Sequence, residues 1–243
     1  SAWYRVLAMF RMVFEGSSHE ALPVPAYGGE LFAPGDPHNA DGMLVFSTTL
    51  DDQDIIRNHD QGFPMVLMHR LPPPGLHVPD IVFDNCAGVR MAVNHLVTVH
   101  NRRRVAFLHG PLGNQESQER EVGYRQALQQ QGIAIDPALL VRGGYNERGG
   151  YNAINDLLRM GVTFDAVFTG DDEAGVGALT ALRTAGRRVP EDVAVIGFDD
   201  LPFAQHLNPP LTTLRAPIEQ AGYLAATELF TLLAGGEVDE ETV

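Results

Sequence analysis

From Asp41 onward the chain alternates between short, continuously apolar runs and longer segments whose apolar residues recur every three or four positions. The runs are "GMLVFS", "PMVLMH", "DIVFDN", "RVAFLHGP", "DAVFTGDD" and "VAVIGFDD". A strand with one wet face alternates apolar and polar residues. A strand that is apolar throughout needs cover on both faces, as in a parallel sheet flanked by helices. The intervening segments supply that cover. Tyr151, Ile154, Leu157 and Leu158 form one helical stripe. Ala174, Ala178, Ala181, Leu182 and Ala185 form a second, and Ile218, Ala221, Ala225, Leu229 and Leu232 a third. Gly161, Gly186 and Gly235 stand where these helices should stop. Strand alternating with helix predicts βαβ units and a doubly wound α/β architecture.

The first forty residues break this pattern. "WYRVLAMFRMVF" is apolar but interrupted by Arg5 and Arg11; it reads as a core strand or helix and not as a signal peptide. "EALPVPAYGGELFAPGDPHNADG" is rich in Pro and Gly without a period, and reads as loop.

Composition narrows the chemistry. At 243 residues the chain has room for one large or two modest lobes. A net charge of −14 argues against direct contact with a phosphate backbone. The clusters "NRRRV" and "GRR" each precede a strand and read as solvated turns. All 17 basic residues are arginine, so a Walker-type phosphate loop and a lysine Schiff base are excluded. The single cysteine, Cys86, excludes an internal disulfide and reads as a helix-start residue. No apolar run reaches the ~18 residues of a membrane span. There is no G-x-S-x-G elbow, and Gly175 and Gly177 make only half a dinucleotide fingerprint, better explained by close helix packing. His95 and His100, five apart, do not share a face of a continuous helix, so no metal site is expected. No cofactor and no enzymatic activity are expected.

In open α/β sheets, ligands bind beyond the carboxyl ends of the strands. Polar residues gather at the ends of the runs: Ser47, His69, Asp84, His109, Asp171 with Asp172, and Asp199 with Asp200. Six runs ending in polar groups predict one shared polar rim.

The segments "DGMLVFSTTLDDQD", "DIVFDNCAGVRMAVNHL", "RVAFLHGPLGNQESQEREVGYRQAL", "FDAVFTGDDEAGVGALTAL", "RVPEDVAVIGFDD" and "NPPLTTLRAPIEQAG" resemble the effector-binding domain of the lac repressor and galactose repressor family. That domain shares its fold with periplasmic sugar-binding proteins. The resemblance implies two doubly wound parallel-sheet lobes of periplasmic binding protein type I, joined by several crossovers. One lobe would comprise residues 1–83 plus 216–239, the other residues 84–215. It further implies a cytoplasmic homodimer that reaches operator DNA through a helix-turn-helix domain absent from this chain. Its effector would be a sugar, a sugar derivative or a nucleoside. The alternative is a periplasmic sugar-binding protein of a transport system.

Carried over by resemblance, Asp199 accepts hydrogen bonds from ligand hydroxyls or ring nitrogens. Arg120 reaches into the cleft, and Asp171 stands where the family often has asparagine. Tyr145 stacks on the ligand and Phe83 forms an opposing apolar wall. Ser47 and His69 are first-lobe contacts, with Asn114 and Glu116 in the loop before Arg120. These residue types suit polyols: a carboxylate accepts two hydroxyls, a guanidinium donates a planar fork, and an aromatic ring covers a sugar face. Each also has a plainer reading. Asp199 could end a strand in a turn, Asp171 or Asp172 could cap the next helix, Arg120 could make an exposed ion pair, and Phe83 could be ordinary core.

The sequence departs from the family in four places, the first being that the family's opening strand and helix are not recognisable in residues 1–40. His69 replaces the common aspartate. His100 and Asn101 replace a glycine–histidine pair, with one extra residue. The chain ends after "GGEVDEETV", short of the family's final strand.

Overall fold

The computed structural model describes residues 41–46, 50–238 and 241–242. The expectations for the first forty residues and for Ser47 lie outside them. In chain order the elements are β1 (Met43–Phe46), α1 (Asp52–Asp60), β2 (Met65–Met68), β3 (Asp80–Val82) and α2 (Asn85–Thr98). There follow β4 (Val105–His109), α3 (Gln115–Gln130), β5 (Leu140–Arg142), α4 (Glu147–Arg159), β6 (Ala166–Thr169) and α5 (Asp172–Thr184). The chain continues through β7 (Ala194–Phe198), β8 (Thr212–Leu214), α6 (Ile218–Leu233) and β9 (Glu241–Thr242).

Two compact units result, and the chain passes between them at Phe83/Asp84 and again at Ala216/Pro217. The first holds a parallel sheet in the order β1-β2-β3-β9. Every residue of β2 is buried, which is why "MVLM" shows no alternation. Ile55 of α1 packs with Val45, Met65, Leu67 and Val78. Residues 241–242 pair with Ile81 and Val82 and complete this sheet as its fourth strand.

The second unit holds a parallel sheet in the order β5-β4-β6-β7-β8. The three central runs are buried throughout or nearly so. The apolar stripes of α4 and α5 meet beneath them: Ile154 and Leu157 pack with Ala178, Leu182, Val167 and Val195. The edge strands β5 and β8 were not recognised in the sequence. At three residues each, and only partly buried, they carry too little apolar signal.

The predicted helix stops hold. Gly161 has φ 69°; Gly161 N–H donates to Leu158 and Val162 N–H to Leu157, the paired bonds of a Schellman ending. Gly186 and Gly235 end α5 and α6 in the same way. Gly177 serves packing instead. A Cβ there would run into the Glu147 carbonyl of α4, just as one at Gly150 would meet the Ala174 carbonyl of α5. The two helices therefore touch backbone to backbone. Gly177→Ala should force them apart and cost about 1–3 kcal/mol of stability in urea denaturation. Thr180→Ala, which introduces no such clash, should cost less.

Candidate functional site

The rim residues divide between the two sheets, and each sheet orders its own. In the second unit the centre is Arg120, on α3. Its helix reads as mixed charge, so an exposed ion pair was the plainer expectation. Instead Arg120 is 4% exposed. Its Nε donates to Asn85 Oδ1 at 2.8 Å and its Nη1 donates to the Gly170 carbonyl beyond β6. Glu116, one turn earlier, lies 3.6 Å from Nη2. The guanidinium sits over the Phe198 ring at 3.7 Å and within 5.5 Å of the Tyr145 ring centre, both cation–π distances. Burial opposes the charge, but Tyr145 and the carboxylates of Glu116, Asp199 and Asp171 outweigh it and hold the pKa above the ordinary arginine value.

Around this cation lie the ends of β4, β6 and β7. Tyr145 follows the glycine pair Gly143–Gly144, whose amides both donate to the His109 carbonyl at 2.8 Å. Its ring lies against the backbone of Gly110 and Gly170, where any Cβ would strike it. The hydroxyl points toward that of Ser117 but completes no hydrogen bond of ordinary geometry, and burial pushes its pKa up to about 12. Asp199 directly follows Phe198 at the end of β7. Burial pushes its carboxyl up to about 8; Arg120 pulls the other way, while Asp171, Asp172 and Glu116 add to the rise.

Asp171 and Asp172 divide the work. Asp171 caps α5, accepting from Ala174 N–H at 2.9 Å, and burial lifts its pKa to about 6. One oxygen serves the cap while the carboxylate stays within electrostatic reach of Arg120. Asp172 is fully buried and accepts from Leu201 N–H at 2.7 Å and Thr213 Oγ1 at 2.5 Å. It fastens α5 to the β7–β8 end of the sheet. Asp200, second of the adjacent pair, accepts from Arg215 Nε at 2.6 Å, so the two aspartates of "DD" face different partners. Asn114 caps α3 through Ser117 N–H, which gives it a structural role. His109 packs edge-on against Phe107 and lies 3.6 Å from Glu121, and Asp84 caps α2; neither joins the Arg120 group.

In the first unit, His69 directly follows β2 with φ 60°, and its ring centre sits 4.5 Å from those of both Phe46 and Phe83. Phe83 is 7% exposed and packs as core against that imidazole.

Tyr145 has φ 54° and Asp199 φ 112°. Non-glycine residues held in this region cost on the order of 1–3 kcal/mol and cluster at ligand sites. With His69 included, three expected contact residues are strained, which no sequence pattern announced.

Residues 93–243 match the family described as periplasmic binding protein-like domain, more than half of the chain. The chain belongs to this domain family, in the branch of the LacI-type regulators. It is 36% identical over 221 residues to the HTH-type transcriptional regulator CelR of Thermobifida fusca, covering 90% of this chain and 62% of the relative. A solved CelR–cellobiose complex superposes with a TM-score of 0.76 at 34% identity, covering 85% of this chain and 63% of that one. A LacI-family regulator from Mycobacterium smegmatis superposes with a TM-score of 0.85 at 27% identity, covering all of this chain and 90% of that one. The chain spans about three fifths of the length of the curated relatives it matches, 57–62%.

Two residues of the Arg120 group, Phe198 and Asn85, carry no signal of that role in the sequence. Phe198 looks like the last core residue of β7, and only the placement of α3 turns its ring toward a cation. Asn85 follows Phe83 and Asp84 in the chain, but its bond to Arg120 spans 35 positions.

An unfolded aspartate titrates near 3.9, and Asp199 in the fold near 8. Between roughly pH 4 and 8 the unfolded chain releases a proton that the folded chain keeps, so this group lowers stability as pH rises through that window. Asp171 and Asp172 act likewise between roughly pH 4 and 6. Asp199→Asn should therefore raise the melting temperature relative to the parent more at pH 8 than at pH 5. Thermal melts followed by circular dichroism at both pH values check this.

Proposed function

We propose that this domain senses a small polar effector and relays its presence to a DNA-binding segment elsewhere in the full-length regulator. The observation that carries the reading is the convergence of Arg120, Asp199, Asp171 and Tyr145 at the carboxyl ends of β4, β6 and β7, two of them in strained backbone. That is where open α/β sheets bind ligands. Asp199 and Asp171 would accept hydroxyls, Tyr145 and Phe198 would present ring faces, and Glu116 would steady Arg120. The effector class is a sugar, a sugar derivative or a nucleoside. Cellobiose is the first candidate, because the CelR complex contains it.

Control of DNA affinity requires the effector to favour one arrangement of the protein by differential affinity. Operator binding, a homodimeric assembly and a cytoplasmic location complete the proposal, by likeness to the regulators above. These relatives are regulators, and no feature of the site favours the transport reading.

Arg120 already donates to Asn85 and the Gly170 carbonyl and faces Glu116, so it has little left to offer an added anion, while Asp199 and Asp171 present carboxyl oxygens beside it. Such a set favours ligands that bring hydroxyl or N–H donors over anions. A thermal-shift panel of cellobiose, glucose, ribose, adenosine, glucuronate and glucose 6-phosphate tests both points. At ~100-fold excess over Kd a true effector should raise the melting temperature by about 5–10 °C. At least one neutral compound should do so while the two anions do not, and Asp199→Asn should abolish the response. No response from any neutral compound in the parent would overturn the proposal.

A further inference from the structure

His95 and His100 are five residues apart and would not share a face if α2 ran on. It does not. The helix closes at Thr98, with Val99 N–H donating to the His95 carbonyl at 3.0 Å. The chain then turns through Asn101 in the left-handed region, φ 53°, and Arg102 N–H returns to the Leu96 carbonyl at 2.9 Å. Asparagine tolerates that conformation better than most residues. The turn folds His100 back onto the last helical turn.

The two Nε2 atoms come to 3.0 Å, with ring centres 4.7 Å apart and ring planes at 79°. A straight N–H···N bond at that separation would hold the centres about 5.3 Å apart, so the rings lean toward each other. For a symmetric lean the N–H···N angle falls near 120°, where hydrogen bonds weaken steeply. A separation of 3.0 Å is also that of two adjacent ligand nitrogens set about 90° apart on one ion with bonds of roughly 2.1 Å. Histidine–metal bonds are about 2.0–2.1 Å, and square-planar or octahedral ions set neighbouring ligands near 90°. A poor hydrogen bond is thus a good pair of adjacent metal ligands.

The surroundings agree. Both side chains are exposed, so an ion can reach them. His95 lies in the last turn of α2, where the helix dipole presents its negative end. Of the arginines that follow, Arg102 directs its guanidinium to the carbonyls of Pro190 and Glu191. Among the described residues no third histidine, cysteine or carboxylate joins the pair, so water would complete the coordination sphere.

We propose that His95 and His100 form an exchangeable two-histidine site for a divalent transition-metal ion, binding Cu²⁺ most strongly and Ni²⁺ or Zn²⁺ less so. The site lies apart from the Arg120 group and does not depend on the effector reading.

Electron paramagnetic resonance of the chain with one equivalent of Cu²⁺ tests it. The parent should show coupling to two imidazole nitrogens. His95→Gln and His100→Gln should each remove one and weaken binding by roughly tenfold or more, while His77→Gln should change neither. Both sites are exposed, so the variants should fold, which circular dichroism verifies. A two-nitrogen spectrum that persists in both variants would place the copper on other histidines and overturn the proposal, as would the absence of copper binding in the parent.

Discussion

Burying the guanidinium of Arg120 is the constraint on which the second unit's strand ends depend. A buried cation without partners is expensive enough to unfold a domain of ordinary stability. The fold meets it with groups from four places: Asn85 at the start of α2, the Gly170 carbonyl beyond β6, Glu116 on the same helix and the Phe198 ring at the end of β7. Each partner is fixed by its own element, so the position of the arginine reports whether α2, α3, β6 and β7 are in register. The same contacts leave its charge in a poorly solvated place, where it acts on neighbouring carboxyls more strongly than it would in water.

The acidic groups show what this arrangement costs. Asp172 is fully satisfied and works as a structural tie, although burial raises its pKa. Asp199 is different. Its carboxyl is pushed to about 8 among three other carboxyls, and its backbone is held at φ 112°. Burial makes its charged form unfavourable, and packing alone does not call for a carboxylate there. Residues that weaken a fold while being held rigidly in place are the usual mark of binding surfaces. Tyr145 fits the same description: a left-handed backbone, a ring pressed on two glycines, and a hydroxyl without a good partner.

Parallel sheets explain why these residues meet. In β4, β6 and β7 all chains run the same way, so every strand delivers its following loop to one edge. Helix starts gather there as well, which lets Asp171 cap α5 and still lie within reach of Arg120. The glycines on that edge, Gly110 and Gly170, leave room for an aromatic ring where any side chain would block it.

Much of this could be read from the chain alone. The unbroken apolar runs and three-to-four periodicity determined a parallel α/β fold, and Gly161, Gly186 and Gly235 ended their helices as expected, because these are local preferences of backbone and burial. The resemblance of the segments "RVPEDVAVIGFDD" and "RVAFLHGPLGNQESQEREVGYRQAL" pointed to Asp199 and Arg120 respectively. The short strands β5 and β8 were not legible, since three residues carry no usable period. Nor was the burial of Arg120, the bond from Asn85, the service of Phe198 to a cation, or the meeting of His95 with His100 across a turn. Those depend on how helices dock and where backbones bend, over separations from five residues to nearly eighty. Local sequence determined which elements form; only the packed tertiary structure decided which side chains they bring face to face, because that choice belongs to geometry summed over the whole fold.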